Sequence, residues 1–148
     1  MRPERIAAAW LGDSRAYWIA GEGSRLLTVD HSWAAEQVAD GLMSEDEAMA
    51  DARAHAITRW LGVDAANEAP DTVVFEPPGT GRLLVCSDGL WNYASGADDL
   101  ARRIGELPAG AAPAVVARSL VDLALAAGGR DNITVAVVDV RPDRRSST

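Results

Sequence analysis

Short apolar runs, each stopped by a turn rich in glycine, aspartate or asparagine, divide this chain of 148 residues and constrain its fold more than any other feature. The clearest runs are Ile6 to Leu11, Ala16 to Ala20, Arg82 to Cys86 and Ile133 to Val140. Such runs are typical of β-strands, particularly where β-branched and aromatic residues dominate. None approaches the ~20 apolar residues that span a bilayer. We therefore expect a globular domain built on a sheet, with no membrane partner.

The segments between these runs predict further strands and four helices. The first thirty residues are expected to form an antiparallel meander, and two more short strands are expected at Ile57 to Leu61 and Thr72 to Phe75. The helices are expected at Trp33 to Ala39, Ser44 to about His55, Ala97 to Leu107 and Pro113 to Ala127.

Capping residues support three of these helices. Ser44 and Glu47 have the spacing of a capping box, Ser95 is the expected cap of the third helix, and Pro113 is expected at the first position of the fourth. The sequence thus predicts one domain over residues 1–140, followed by a flexible tail at 141–148.

Composition excludes several classes of function. All 14 basic residues are arginine, so the chain cannot supply the lysine of a P-loop or of a Schiff base. A formal net charge of -8 opposes binding to nucleic acid or to an anionic membrane. The single cysteine cannot form an internal disulfide, and the two histidines have no zinc-finger spacing. A reducing, cytoplasmic location is expected.

Three aspartates follow or precede predicted strands in the same way. Asp13 and Asp88 come just after strands, and Asp131 comes just before one. If the strand at 82–87 is antiparallel to that at 133–140, Asp88 and Asp131 meet at one rim of the sheet. Carboxylates without histidine or cysteine neighbours favour Mg²⁺ or Mn²⁺ over zinc or copper. An aspartate beside glycine or asparagine is also a common turn former, so the spacing alone leaves both interpretations open.

Five motifs occur in a fixed order along the chain. They are Gly12-Asp13-Ser14-Arg15, Leu27-Thr28-Val29-Asp30-His31-Ser32, Ile57-Thr58-Arg59-Trp60-Leu61-Gly62, Leu84-Val85-Cys86-Ser87-Asp88-Gly89-Leu90-Trp91 and Gly128-Gly129-Arg130-Asp131-Asn132-Ile133-Thr134-Val135. In this order they resemble the C-terminal half of the PPM (type 2C) metal-dependent Ser/Thr protein phosphatases, in the bacterial branch of that family. The resemblance covers roughly residues 6 to 140.

The resemblance implies an α-β-β-α sandwich of antiparallel sheets, present here only in part, with a metal centre at one edge. Asp88 and Asp131 then correspond to ligands of a binuclear Mg²⁺ or Mn²⁺ site, and Asp13 corresponds to a ligand of an additional, weaker ion. Residues 33–55 correspond to a flap beside the cleft. His55 lies near the family's flap ligand, although a histidine that simply ends a helix is the alternative interpretation. The implied substrate is a phosphorylated protein, hydrolysed by metal-activated water.

The match fails at the start of the chain. Complete members of the family carry an early Asp-Gly motif whose carboxylate bridges both metals, whereas the Asp-Gly pairs here are Asp40-Gly41 and Asp88-Gly89. We therefore expect an incomplete centre, with the remaining strands and the bridging ligand supplied by a missing N-terminal half or by a partner chain.

Two other functions compete with a phosphatase. One is a catalytically inactive regulatory or binding module with the same fold. The other is a Gly-Asp-Ser hydrolase with Ser14 as nucleophile, but the chain has no late Asp-x-x-His to supply its base. A cysteine-dependent phosphatase is disfavoured because Asn92 stands where its arginine is needed, so Cys86 is interpreted as a core residue.

Overall fold

The structure is a computed structural model that describes residues 5–65 and 69–141. The strands within these residues are β1 (Ile6–Trp10), β2 (Arg15–Ile19), β3 (Arg25–Leu26), β4 (Asp71–Phe75), β5 (Gly81–Cys86) and β6 (Val135–Val140). The helices are α1 (Trp33–Ala39), α2 (Glu45–Ala50), α3 (Asp88–Trp91), α4 (Ala97–Gly105) and α5 (Pro113–Ala126).

The larger sheet has the order β3-β2-β5-β6, and every neighbouring pair in it is antiparallel. This pairing confirms the predicted antiparallel arrangement of β5 and β6. Alternate residues along the strands face the helices and are buried there with apolar residues of α4 and α5. The buried set includes Tyr17, Ile19, Leu84, Cys86, Leu100, Val116 and Leu120. Burying each large side chain of this kind stabilises the fold by about 1.5–3 kcal/mol.

The second sheet contains β1 and β4, which pair from Ile6 opposite Phe75 to Trp10 opposite Asp71. The predicted meander is therefore wrong for its first strand, because β1 pairs with β4 and not with β2. The chain passes from this sheet to the larger one at Gly12, which is buried with φ of 96°, a conformation that glycine adopts without strain. Trp18 and Phe75 join the sheets, with ring centroids 5.3 Å apart. The result is a helix layer and two sheet layers of the expected sandwich.

Residues 33–55, the flap, leave the sheets between β3 and β4. The predicted capping box of Ser44 and Glu47 is confirmed, and it starts α2. The helix ends at Ala50 and not near His55, because Asp51 is extended and its carboxylate accepts a hydrogen bond from the Arg53 N–H at 2.9 Å. The expected strand at 57–61 is reduced to one bridge between Ser32 and Ile57, which ties the two ends of the flap together.

Helix α4 begins at Ala97 as predicted and ends at Gly105, but Ser95 is not its cap. Gly96 is the N-cap residue, and Ser95 instead accepts a hydrogen bond on its carbonyl from the Tyr17 hydroxyl at 3.0 Å. Helix α5 begins at Pro113 as predicted. None of the helices in the two described ranges is long and apolar enough to cross a membrane. The tail predicted at 141–148 lies outside the described residues beyond Arg141.

Candidate metal centre

Strand register brings the three predicted aspartates to the same edge of the larger sheet. Cys86, the last residue of β5, lies opposite both Arg15 at the start of β2 and Val135 at the start of β6. Asp13 precedes β2, Asp88 follows β5, and Asp131 precedes β6. The rim formed by these three loops is the candidate metal centre, called the rim below.

Two of the loops are joined by direct contacts. The Ser87 hydroxyl donates to the Asn132 carbonyl at 3.0 Å and accepts from the Thr134 N–H at 3.1 Å. A Cβ added at Gly89 would lie 2.3 Å from the Asn132 carbonyl oxygen, so only glycine permits this approach. These contacts fix the loop of Asp88 against the loop of Asp131.

Asp13 and Asp88 interact electrostatically. The pKa of Asp13 is raised from its ordinary value, chiefly because the carboxyl is partly buried and then because the charge of Asp88 lies nearby. The Trp91 indole N–H donates to the Asp13 carbonyl at 2.9 Å, which fixes the Asp13 loop against α3. Two carboxylates that repel each other at a partly buried site are a setting that a bound cation would stabilise.

The third aspartate is placed differently. Asp131 is exposed, and its carboxylate accepts a hydrogen bond from the Asn132 N–H at 2.6 Å. Across residues 5–65 and 69–141, no group of three or more histidine, cysteine, aspartate or glutamate side chains is close enough to hold a metal ion. The oxygen donors fit Mg²⁺ or Mn²⁺ in their chemistry, but they do not by themselves form a closed ligand set.

A buried histidine that the sequence analysis left without a role supports the Asp13 loop. His31 is 6% exposed, and its Nδ1 accepts the Gly12 N–H at 3.0 Å while its Nε2 lies 3.1 Å from the Asp71 carboxylate. Nδ1 therefore acts as an acceptor, and Nε2 lies beside both the Asp71 carboxylate and the Arg59 guanidinium, the latter at 2.9 Å. Asp71 is also bound by the Arg59 guanidinium at 3.1 Å, and these two partners lower the pKa of its carboxyl. The motif Asp30-His31-Ser32 was the available signal, but nothing in its spacing indicated Gly12 as a partner.

Arg15 forms the second support that the sequence did not reveal. Its guanidinium binds Asp30 through two nitrogens, at 3.0 Å and 2.7 Å, and lies 4.0 Å from the centre of the Trp91 ring. The side chains of Arg15 and Asp30 are 14% and 11% exposed, so the pair is largely buried. A bidentate pair of this kind holds the start of β2 in one position beside the rim.

The structure does not support Cys86 or Ser14 as a catalytic nucleophile. Cys86 is 2% exposed in β5, and burial raises the pKa of its thiol to about 12, so it remains a neutral core residue as predicted. Ser14 is exposed, and His31 cannot act as its base because both ring nitrogens are engaged by Gly12 and Asp71. His55 is exposed beyond the end of α2, with its ring 5.8 Å from that of Trp91.

Comparison with known proteins identifies relatives along nearly the whole chain. The chain is 34% identical over 141 residues to the serine/threonine phosphatase stp of Listeria welshimeri, covering 94% of this chain and 53% of that protein. It is 36% identical over 136 residues to the protein phosphatase PhpP of Streptococcus pneumoniae, covering 91% of this chain and 53% of that protein. The chain thus spans about half the length of these curated relatives. No protein-family model matches it.

Solved structures show the same relationship. The Streptococcus agalactiae serine/threonine phosphatase superposes with a TM-score of 0.77 at 33% identity, covering 93% of this chain and 55% of that one. The PPM Ser-Thr phosphatase MsPP of Mycobacterium smegmatis gives 0.71 at 35% identity, covering 90% and 55%. The catalytic domain of the phosphatase PstP, in complex with two manganese ions, gives 0.69 at 26% identity, covering 96% and 55%.

The fold and these similarities define a class: the chain is a relative of the Ser/Thr protein phosphatases. More particularly, its homologues are bacterial phosphatases of the PPM family, and the half that it matches is consistent with the C-terminal half of such a protein.

Proposed function

We propose that this chain carries one part of the active site of a phosphatase that hydrolyses phosphoserine and phosphothreonine in proteins. The observation that carries the proposal is the register of β2, β5 and β6, which gathers the loops of Asp13, Asp88 and Asp131 at one rim. The homology to Ser/Thr phosphatases supports the reaction, and the manganese ions bound by one relative support Mn²⁺ or Mg²⁺ as the cofactor.

In this proposal Asp88 and Asp131 hold the ions of a binuclear centre, and Asp13 binds an additional ion. When bound, the ions would supply an activated water and neutralise charge on the phosphoryl oxygens. The protein's own contribution is positional. Ser87 and Gly89 hold two of the loops together, while Trp91 and His31 fix the loop of Asp13.

The remaining ligands are proposed to come from outside this chain. The face of the larger sheet opposite α5 is only partly covered, since Val85 and Val138 are 41% and 55% exposed on it. Exposed apolar residues on a sheet face are normally covered by a further layer. An N-terminal half of the kind found in the longer relatives, or a partner chain, would cover this face and complete the ligand set.

A catalytically inactive regulatory module is the second candidate. It would need no complete metal centre, and the described residues contain no group of three side chains that could hold a metal ion. A module of this kind would retain the fold and a binding surface for a phosphorylated protein without hydrolysing it.

Hydrolysis of a phosphothreonine peptide in the presence of Mn²⁺ tests the proposal. It should be measured for the chain alone and for the chain joined to the N-terminal half of a PPM relative. We expect the joined protein to be active, and we expect Asp88→Asn and Asp131→Asn each to reduce its rate at least ~100-fold. Cys86→Ala is the control and should keep full activity. Equal loss in all three variants would contradict the assignment, and inactivity of the joined protein would favour the regulatory module.

A further inference from the structure

A polar cavity of about 510 Å³ adjoins the rim and shares only Asp131 with the aspartates of the proposed metal centre. Its walls include His55 from the flap, Asn92 and Tyr93 after α3, and Arg130 and Asp131 before β6. It therefore lies where the flap, α3 and the loop of a proposed metal ligand come together.

Arg130 is held at this cavity by its backbone. Helix α5 is followed by Gly128 and Gly129, with φ of 136° and 54°, and the Gly129 N–H donates to the Ala124 carbonyl at 3.0 Å. The Arg130 N–H then donates to the Tyr93 hydroxyl at 3.2 Å. The backbone of Arg130 is therefore fixed beside the cavity.

The Arg130 side chain differs in its charge partners from most other arginine side chains near the sheets. The guanidinium groups of Arg15, Arg59 and Arg82 each pair with a carboxylate. Among residues 5–65 and 69–141, Arg130 forms no ion pair, and its side chain is exposed to the cavity. An unpaired guanidinium presents several N–H donors to any anion that enters.

Other donors line the same space. The His55 ring packs against Trp91 at 5.8 Å, the Asn92 side-chain amide has two N–H groups, and the Tyr93 hydroxyl can donate its own hydrogen while accepting from Arg130. Among the described residues that line the cavity, Asp131 is the only carboxylate, and the proposed function assigns it to a metal ion. With a cation on Asp131, the rest of the wall favours an anion.

We propose that this cavity binds an anionic group on the substrate, a carboxylate or a second phosphate next to the phosphorylated residue. The Arg130 guanidinium binds this anion. The inference rests on the proposed function, because the cavity shares Asp131 with the rim at which the phosphoryl group would bind. Arg130 is thus a specificity-determining residue, and its loss would change substrate preference without removing the metal ligands.

Fluorescence anisotropy with two labelled phosphothreonine peptides tests this inference. The peptides differ only in whether glutamate or glutamine flanks the phosphothreonine, and binding to the chain is measured with and without Mn²⁺ at low salt. We expect the chain with Mn²⁺ to bind the glutamate peptide roughly fivefold more tightly, the scale of one partly exposed ion pair. Arg130→Gln should abolish this preference and Arg130→Lys should retain part of it.

Arg118→Gln is the matched control, because Arg118 is exposed on α5 away from the cavity lining and its loss changes the net charge equally. Mn²⁺-dependent binding with no preference between the peptides, or an equal effect of Arg118→Gln and Arg130→Gln, would overturn the inference and leave the proposed function standing. Peptide binding that is absent, or that is indifferent to Mn²⁺ and to Asp88→Asn, would overturn the inference, whereas the activity of the joined protein decides the proposed function separately. Circular dichroism verifies that each variant is folded. If Arg130→Gln does not fold, the peptide preference of Arg130→Lys tests the inference instead.

Discussion

At the scale of single residues, like charges lie close together at the rim and do not form stabilising pairs with each other. Asp13 lies partly buried beside Asp88, so two like charges oppose the fold where no cation is bound. Structural ion pairs elsewhere have the opposite character, as in the largely buried pair of Arg15 and Asp30. Unfavourable charge in a partly buried position is a recognised mark of a functional site.

Replacing Asp13 by asparagine should stabilise the metal-free chain at neutral pH. The pKa of Asp13 is higher in the folded chain than its ordinary value of 3.8, so folding favours the protonated form. The favourable contribution is complete below the ordinary pKa and is lost as pH rises through the raised value. We therefore expect Asp13→Asn to raise Tm at pH 7 and to have little effect at pH 3. Thermal unfolding measures both values.

The same substitution at Asp122 is the control, because this residue is exposed on α5. It should change Tm little at either pH. A lower Tm for Asp13→Asn at pH 7 would show that the ionised carboxylate stabilises the fold and would contradict the electrostatic description.

Cys86 should be almost unreactive in the folded chain. Burial raises the pKa of its thiol to about 12, so at pH 8 only about one molecule in ten thousand carries a thiolate. We expect the native chain to react with a disulfide reagent at least ~100-fold more slowly than the chain unfolded in urea. Equal rates in the two states would place the thiol outside the core.

At the scale of elements, local signals in the sequence predicted where most strands and helices lie, but not how they pair and pack. The sequence predicted most strands and the starts of α1, α2, α4 and α5, because apolar runs and caps such as Ser44 are local signals. It placed β1 in the wrong sheet, since pairing between Ile6 and Phe75 depends on contacts distant along the chain. It also chose Ser95 as a cap, where the structure uses its carbonyl to bind Tyr17.

Substituting Gly89 by alanine should separate the loops of Asp88 and Asp131. The added Cβ would lie 2.3 Å from the backbone oxygen of Asn132, which cannot move without shifting β6. We expect a loss of about 1–3 kcal/mol in the free energy of unfolding, measured in urea, and weaker Mn²⁺ binding.

Gly105→Ala provides the matched comparison for this change. It adds the same methyl group at the end of α4, where nothing lies within 4 Å of the added Cβ. This variant should be unchanged or more stable by up to about 1 kcal/mol. Similar losses at Gly89 and Gly105 would show that the close approach of the loops is not what Gly89 permits.

At the scale of the whole molecule, the chain forms three layers of a sandwich and spans about half the length of its curated phosphatase relatives. The five ordered motifs were enough to predict this fold class from the sequence. The supports of the rim were not predictable, because the contacts of His31 with Gly12 and of Arg15 with Trp91 arise only when distant segments fold together. The division into a domain at 1–140 and a tail at 141–148 remains a prediction.

Calorimetric titration of the chain with Mn²⁺ tests the central claim most directly, namely that Asp88 and Asp131 form one metal-binding rim. We predict measurable binding to the unsubstituted chain and to Cys86→Ala, and at least ~10-fold weaker binding to Asp88→Asn and to Asp131→Asn. Binding that is equally strong in both aspartate variants, or no binding to the unsubstituted chain, would contradict the claim.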